Sequence, residues 1–170
     1  MIHPKEEYHG ISSTNGNFIR SGNSRTFPGY NLNSDYMKVP CTKGILSIKF
    51  NWADYMMIDD RYVEDTRPHN KSAFLKIKPH QRWEIIVGLE HWAQWAGTSP
   101  DRGKQPSSFK DYIRIICAKE GGTGASVSDS INALGNHLGR EHLAINYLAD
   151  NNILSFYHDI PFEDGSGTDF

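Results

Sequence analysis

The chain has 170 residues, of which 38% are hydrophobic, and a formal net charge of −2 at pH 7. This length suits one domain, and the balanced charge gives no electrostatic reason to expect nucleic acid or an anionic membrane surface as a partner. No apolar run approaches the ~20 residues that a membrane-spanning helix requires, and MIHPKEEYHG has no signal-peptide hydrophobic segment, so we expect either a cytosolic protein or a chain that begins inside a longer precursor.

Two segments near the start have the composition of strands. Ile11–Tyr30 is rich in Ser, Asn and Gly, and we predict one or two strands there, paired through a turn at Ser21–Arg25. Lys43–Ile58 alternates between apolar and polar residues, which is typical of a strand that separates two different environments. Its apolar side comprises Leu46, Ile48, Phe50, Trp52, Met56 and Ile58.

A charged connection, Asp59–Asn70, leads to a predicted hairpin. Ala73–Lys78 is a short strand, and Pro79–Gln81 links it closely to a long alternating strand, Trp83–Trp95. The apolar side of the long strand comprises Trp83, Ile85, Val87, Leu89, Ala93 and Trp95. We expect this side and that of Lys43–Ile58 to share one face of an antiparallel sheet, uncovered by a second sheet, because the chain has too few apolar residues for a two-layer core.

Trp83 and Trp95 lie on the same side of the long strand, twelve residues apart. At a rise of ~3.3 Å per residue and a tilt of ~40°, the two indoles stand about 30 Å apart along a barrel axis, near the height of the apolar band and aromatic girdles of an outer-membrane barrel. The alternative is a sandwich strand with both indoles in an ordinary core. His91, on the same side, argues against contact with lipid at its own position.

The second half of the chain begins with turn chemistry, GTSPDRGKQPSS, and continues with a predicted helix over Ser108–Ala118. Phe109, Tyr112, Ile113 and Ile116 recur at helical spacing, so we expect them to be buried against the polar side or the rim of the sheet. Lys110, Asp111 and Arg114 should then be exposed. Gly121–Asp129 is a predicted loop, and His142–Ala149 and Ile153–Ile160 are predicted to pair around the turn Asp150–Asn152.

Candidate catalytic and metal-binding patterns are all weak. The spacing of His137, Glu141 and His142 is one residue too long for an H-x-x-E-H zinc pattern, and Gly121–Ser126 lacks the Gly-Lys-Ser/Thr of a phosphate-binding loop. Four carboxylates in the charged connection have the chemistry of a glycosidase pair, but their spacing does not establish the required separation; they are Asp59, Asp60, Glu64 and Asp65. Cys41 and Cys117 lack metal-ligand spacing and are predicted to be free thiols. We therefore predict no catalytic residues, no metal and no cofactor.

Several long peptides resemble the Wzi-like capsule assembly proteins of the Bacteroidetes. They are Gly88–Gly97, Gly97–Ile115, Ile131–Gly139, Lys38–Asp65 and Ser155–Gly167. The resemblance covers about Tyr36 to Asp164, although members of that family are much longer and carry signal peptides. It implies that residues 1–170 are one incomplete segment of an outer-membrane β-barrel, built mainly of antiparallel amphipathic strands with one short helix at about 108–118.

The resemblance implies a non-catalytic protein of the outer membrane that helps to assemble or attach capsular polysaccharide, with that polysaccharide and membrane lipid as its partners. It transfers no binding motif residue by residue. Polar and aromatic side chains at strand ends and in loops suit a polysaccharide ligand, because an indole stacks on a sugar ring and cations bind acidic sugars. The candidates on this ground are Asp60, Arg61, Trp92, Arg102, Lys104 and Gln105.

Two other functions remain open. A soluble β-rich carbohydrate-binding module requires similar alternation, and a polysaccharide hydrolase is a more distant alternative that would use the carboxylates of Asp59–Asp65. The barrel and the soluble module differ in one observable respect, which is whether the apolar sides of the two clearest strands pack against each other or remain exposed.

Overall fold

A computed structural model describes residues 19, 27–122, 124–125 and 133–163 of the chain. These residues form a mainly β structure with one short helix, as the sequence predicts. The strands and the helix are β1 (Gly29–Asn33), β2 (Met37–Lys38), β3 (Leu46–Tyr55), β4 (Arg67–His80), β5 (Trp83–Trp95), β6 (Thr98–Ser99), β7 (Gly103–Lys104), α1 (Phe109–Ile116), β8 (Asn136–Leu148) and β9 (Ile153–Glu163).

One antiparallel sheet contains all the long strands, in the order β1-β3-β4-β5-β8-β9, with β2 also paired to β3. Among the described residues this sheet is open, with β1 at one edge and β9 at the other. Strands β6 and β7 form a separate short hairpin. The ends of β3, β5 and β9 and the starts of β4 and β8 lie at the same end of the sheet, which we call the rim.

The strand register places the predicted apolar residues on one face of the sheet. Leu46 lies opposite Ile77, which lies opposite Ile85, which in turn lies opposite Ile145. This apolar face includes Ile48, Phe50, Leu75, Val87, Leu89, Leu143, Phe156 and Trp83. The opposite, polar face includes Asn51, Asn70, Glu84, Glu90, Arg140, His142, Asn146 and Asp159. The prediction that the apolar sides of β3 and β5 share one face is confirmed.

The burial of the two faces is the reverse of that in an ordinary soluble sheet. Large apolar side chains on the apolar face are exposed to a considerable extent, and Leu89 in the middle of β5 keeps 49% of its accessible surface. By contrast, the polar face buries charged and amide side chains, and Arg140 is 0% exposed. Water-soluble proteins rarely bury such groups unless they are paired. The sheet therefore exposes much of its apolar side and buries much of its polar side.

Helix α1 covers the apolar face only near the rim. Ile115 is fully buried with Ala93, Trp95, Ala96 and Leu134 in the small hydrophobic core. The Lys71 ammonium of β4 donates to the carbonyl of Ile116 at the last turn of α1. Such a cation stabilises the negative end of the helix dipole. None of the described helical residues form a segment long and apolar enough to cross a bilayer.

Two expectations about the helix are wrong. Phe109, at 77% exposure, and Ile113 are exposed, whereas Asp111 is buried. The reason is a capping box, in which the Asp111 carboxylate accepts from the Ser108 backbone N–H at 3.0 Å and the Ser108 hydroxyl accepts from the Asp111 N–H at 3.3 Å. The box turns the helix so that Tyr112 and Ile115 face the sheet. The helix docks on the apolar face near the rim, so of the two expected docking places the rim is confirmed and the polar side is wrong.

Some predicted boundaries also change. Strand β4 begins at Arg67, so residues 67–70 are strand and not part of the charged connection, because His69 and Asn70 have cross-strand partners on β3 and β5. The predicted final hairpin is confirmed and is longer, with β8 beginning at Asn136. Only Ile19 and residues 27–30 of Ile11–Tyr30 are described, so the predicted Ser21–Arg25 turn lies outside the described residues, as does most of the predicted Gly121–Asp129 loop.

Two glycines of the sheet lie beneath aromatic rings of the neighbouring strand. The Phe74 ring of β4 covers Gly88 of β5, and the Phe162 ring of β9 covers Gly139 of β8. A side chain added at either glycine would overlap the ring. In both pairs, the missing side chain provides the space that the ring occupies.

We predict that Asp111→Ala destabilises α1 by about 1 kcal/mol, because it removes the carboxylate half of the capping box and the pair with Arg114 while the Ser108 cap remains. Burial acts to raise the pKa of the Asp111 carboxyl, but bonds from Ser108 and Arg114 outweigh it and hold the pKa below its ordinary value. Because the folded pKa is lowered, the stabilisation is complete above the unfolded value of ~3.9 and is lost as the pH falls through the folded value.

Hydrogen exchange of the α1 amides, followed between pH 3 and pH 6, measures this effect. Lys110→Ala, a change at the adjacent exposed position, should leave the exchange rates unchanged. Equal protection of α1 in Asp111→Ala and the original chain would show that the box does not hold the helix.

Candidate functional site

A continuous chain of polar contacts crosses the polar face from β3 to β9. The Asn51 amide donates to Asn70 Oδ1 at 2.5 Å, and the Asn70 amide donates to Glu90 Oε1 at 3.5 Å. Arg140 Nε donates to Glu90 Oε2 at 3.0 Å, and its Nη1 lies 3.4 Å from both carboxylate oxygens of Asp159. The chain of contacts therefore joins five neighbouring strands through their side chains.

A carboxylate on each side neutralises the Arg140 guanidinium. Glu90 and Asp159 lie on the strands that flank β8, and His142 Nδ1 is 2.6 Å from Asp159 Oδ1. A charge of this kind is costly to bury without a partner. Three strands are thus tied together by one buried cation.

A second polar cluster lies at the opposite end of the same face. The Glu84 carboxylate lies 3.0 Å from Lys78 Nζ and 3.4 Å from Lys76 Nζ. The Asn146 amide donates to the same carboxylate at 3.4 Å. The Lys76 ammonium is 3.9 Å from the centre of the Tyr36 ring. Polar and charged side chains therefore line this face over most of its length.

Trp92, a candidate from the sequence, belongs to the polar face. Its indole Nε1 donates to Glu90 Oε1 at 2.8 Å, and its ring is stacked on Tyr55 with 6.0 Å between centroids and 12° between planes. The indole is half-buried. Its position links the network around Arg140 to the rim.

A cavity of about 520 Å³ lies at the rim, which we call the rim cavity. It lies between the β3–β4 connection, the end of β5, the β6–β7 hairpin and the start of β8. Polar and aromatic side chains dominate its lining, including Tyr62, Gln94, Trp95, Arg102, Gln105 and Asn136. Two of the six candidates from the sequence, Arg102 and Gln105, therefore meet in one cavity.

The other candidates are elsewhere. Asp60 and Arg61 are exposed in the β3–β4 connection, where Arg61 pairs with Asp59 and its guanidinium carbon lies 5.6 Å from the centre of the Phe27 ring. Lys104 is exposed on the β6–β7 hairpin and does not line the cavity. The structure does not gather the six residues into one site.

Sequence reasoning missed Tyr62, Gln94 and Asn136. Gln94 and Asn136 are directly opposite each other in the β5–β8 register. The alternation of β5 does place Gln94 on the polar side of that strand. The sequence does not indicate which residue of a distant strand lies opposite Gln94.

A single carboxylate, that of Asp54, is bonded by three side chains where α1 meets the apolar face. The Tyr30 and Tyr112 hydroxyls donate to Asp54 Oδ2 at 2.6 Å and 2.7 Å, and His69 Nδ1 is 2.8 Å from Asp54 Oδ1. Burial, together with the bond to Asp54, raises the pKa of the Tyr112 phenol. Asp54, which interrupts the apolar side of β3, is therefore the residue that fixes α1 to the sheet.

The described residues contain no group of three or more His, Cys, Asp or Glu side chains able to hold a metal. His142 lies on the polar face, whereas the register places His137 and Glu141 on the other face, so these three side chains do not converge. His137 instead bonds His91 at 2.8 Å. Cys41 and Cys117 are free and exposed, and the carboxylates of Asp59, Asp60, Glu64 and Asp65 are exposed in their loop.

No protein-family model, curated protein or solved structure matches the chain.

We predict that Arg140→Ala lowers the free energy of unfolding by about 3–5 kcal/mol, because it leaves Glu90 and Asp159 buried without their cation. Urea unfolding of the purified chain, followed by tryptophan fluorescence, measures the loss. Arg82→Ala is the control, because the Arg82–Asp150 pair is 3.7 Å long and largely exposed, and its loss should cost less than ~1 kcal/mol.

A double variant, Glu90→Gln with Arg140→Met, should recover part of the loss, since it removes a carboxylate together with its cation. Equal stability of Arg140→Ala and Arg82→Ala would show that the buried ion network does not hold the sheet together.

Proposed function

We propose that the chain is a segment of an outer-membrane β-barrel that takes part, without catalysis, in assembling or attaching capsular polysaccharide at the cell surface. One observation carries the barrel part of this proposal, namely the exposed apolar face and the largely buried, extensively hydrogen-bonded polar face. The capsule part rests on the resemblance of residues 36–164 to the Wzi-like proteins. The polar rim with its cavity is consistent with a polysaccharide ligand.

The reversed burial is the arrangement that a barrel wall requires. In a membrane barrel, strands alternate apolar side chains toward lipid with polar side chains toward the interior. A tilted strand crosses a bilayer with ~9–11 residues, and β4, β5, β8 and β9 have 14, 13, 13 and 11 residues. Each of these strands is therefore long enough to cross.

Trp83 supports the expected aromatic girdle and Trp95 does not. The Trp83 indole is partly exposed beside Tyr147, with 5.0 Å between ring centroids, at the end of the sheet away from the rim. Trp95 is buried beneath α1 and its centroid lies 5.5 Å from that of Tyr112. Of the two alternatives for these indoles, a lipid-facing position does not hold for Trp95, because α1 occupies the apolar face at that end.

The soluble carbohydrate-binding module requires the apolar sides of the strands to be covered. The apolar sides of β3 and β5 lie side by side on one sheet, with their centres exposed. An exposed apolar surface of this extent marks a site of contact with a membrane or another protein. This observation favours the barrel over the soluble module, which stays the second candidate.

We predict that Leu89→Arg impairs insertion into lipid bilayers, with a cost of about 2–4 kcal/mol if Leu89 lies near the bilayer midplane. The measurement is the urea-dependent folding equilibrium of the chain in phosphatidylcholine vesicles. Gln81→Arg, which adds the same charge in the exposed β4–β5 turn, should insert as the original chain does. A chain that folds without lipid and becomes more soluble with Leu89→Arg would favour the soluble module.

A second prediction concerns the capsule. Replacing Arg61, Arg102 and Lys104 together by Ser in the complete protein should reduce retained capsule while surface expression stays normal, because these cations would meet acidic groups of the polymer. Cell-surface labelling and capsule quantification would be done on the same cultures. Normal expression with undiminished capsule would exclude these three residues as the attachment site.

A further inference from the structure

We infer that the rim cavity is a binding subsite for one uncharged sugar unit of a polysaccharide, with the exposed side chains of Gln94 and Asn136 as its hydrogen-bonding groups. The inference deepens the proposed function and rests on it for the presence of the polymer. Its own evidence is the composition, charge and rigidity of the cavity.

The size and composition of the cavity suit a sugar. Ligand pockets commonly have volumes of ~300–1,000 Å³, and the rim cavity, which is open to solvent, has a volume of about 520 Å³. Its walls combine two aromatic residues, Tyr62 and Trp95, with hydroxyl and amide side chains. A pyranose ring has the same mixture, since C–H groups form its faces and hydroxyl groups its edge.

Two adjacent, exposed amides supply the hydrogen-bonding groups of the cavity. Gln94 and Asn136 are opposite each other in the register of β5 and β8, and cross-strand neighbours of this kind have their Cβ atoms ~5 Å apart. Within the described part of the chain, no hydrogen bond involves either side chain. Each amide both donates and accepts, as neighbouring sugar hydroxyls do, so the pair matches a vicinal diol.

The charges that line the cavity balance. Arg102 is one lining residue and Asp101 another, and the Tyr62 hydroxyl donates to the Asp101 carboxylate. The contribution of these two residues to the net charge is therefore zero, which favours an uncharged sugar unit at the cavity itself. Acidic units of the same polymer would instead meet the cations outside the cavity, Arg61 and Lys104.

Two aromatic groups complete the site. The Tyr62 ring is 64% exposed, so one of its faces is available for stacking on sugar C–H groups. Trp95 is only 8% exposed, and its indole Nε1 has no hydrogen-bond partner. Trp95 therefore contributes apolar lining and not a hydrogen-bond donor, because its Nε1 is out of reach of solvent.

Backbone bonds hold the walls of the cavity in place. Glu64 and Thr98 exchange two backbone bonds of 3.0 Å and 2.9 Å, and the Gln105 N–H donates to Gly97 at 2.9 Å. The Asp101 N–H donates to the Ser99 hydroxyl at 3.3 Å. The β3–β4 connection and the β6–β7 hairpin are thus joined before a ligand arrives, which lowers the entropic cost of binding.

The experiment is calorimetric titration of the full chain in detergent micelles with four hexasaccharides of equal length. Three are neutral, built from glucose, galactose or mannose, and one is built from hexuronate. We expect at least one neutral probe to bind and the hexuronate to bind more weakly. The double variant Gln94→Ala, Asn136→Ala should weaken the neutral interaction about tenfold, since two hydrogen bonds are lost.

Tyr62→Ala, on a different wall, provides a second and independent test and should also weaken binding. Thr98→Ala is the matched control, since it changes an exposed side chain of the same hairpin that does not line the cavity. Far-UV circular dichroism confirms that each variant keeps its sheet. The inference is overturned if no neutral probe binds, if folded variants bind as tightly as the original chain, or if the hexuronate binds most tightly and depends on Arg102.

The two proposals fail separately. If the chain inserts into vesicles and Leu89→Arg prevents insertion while no neutral sugar binds, the barrel stands and the subsite falls. If neutral sugar binds at the cavity while Leu89→Arg yields a folded, lipid-free chain, the subsite stands and the barrel falls.

Discussion

The fold depends on a cation that has no access to solvent. Arg140 projects from β8 between Glu90 of β5 and Asp159 of β9, and the same carboxylates also bind Trp92 and His142. Ion pairs of this type contribute little net stability compared with a hydrophobic replacement, but their geometry is demanding. Arg140 therefore favours one arrangement of β5, β8 and β9. The Asn70 and Asn51 amides extend this network of contacts from Glu90 to β4 and β3.

The polar face is hydrogen-bonded largely within the chain, whereas much of the apolar face is left exposed to the surroundings. In a soluble protein the apolar side chains would pack together and the polar ones would be hydrated. Here most of the buried polar side chains bond one another, and the short helix near the rim is the described element that packs on the apolar side. That helix is itself attached by polar contacts, Tyr112 to Asp54 and Lys71 to Ile116. The hydrophobic effect within the chain is thus confined largely to the core around Trp95, and lipid is the proposed partner for the remaining surface.

Much of the sheet could be predicted from alternation alone. The period of two in β3 and β5 identified both strands and the face that they share, and Asp150–Asn152 located the last turn. The missed features depend on contacts between distant residues. His69 and Asn70 look like loop residues until their partners on β3 and β5 are known, and the phase of α1 depends on Ser108 and Asp111, whose capping bond overrides the apolar spacing. The pairing of Gln94 with Asn136 depends on the register between strands separated by the helix and a loop.

The glycines beneath Phe74 and Phe162 have a consequence for accuracy during assembly. A strand that slips by one residue inverts its faces and is rejected by polarity, but a slip of two residues preserves the alternation and carries little penalty on that account. With the slip, the phenyl ring that covers Gly88 or Gly139 would meet a residue that has a side chain and would clash with it. Each phenylalanine and its glycine therefore favour the observed register between adjacent strands. The two pairs disfavour a two-residue slip, which the alternation of polar and apolar residues does not, and there is one such pair on each face of the sheet.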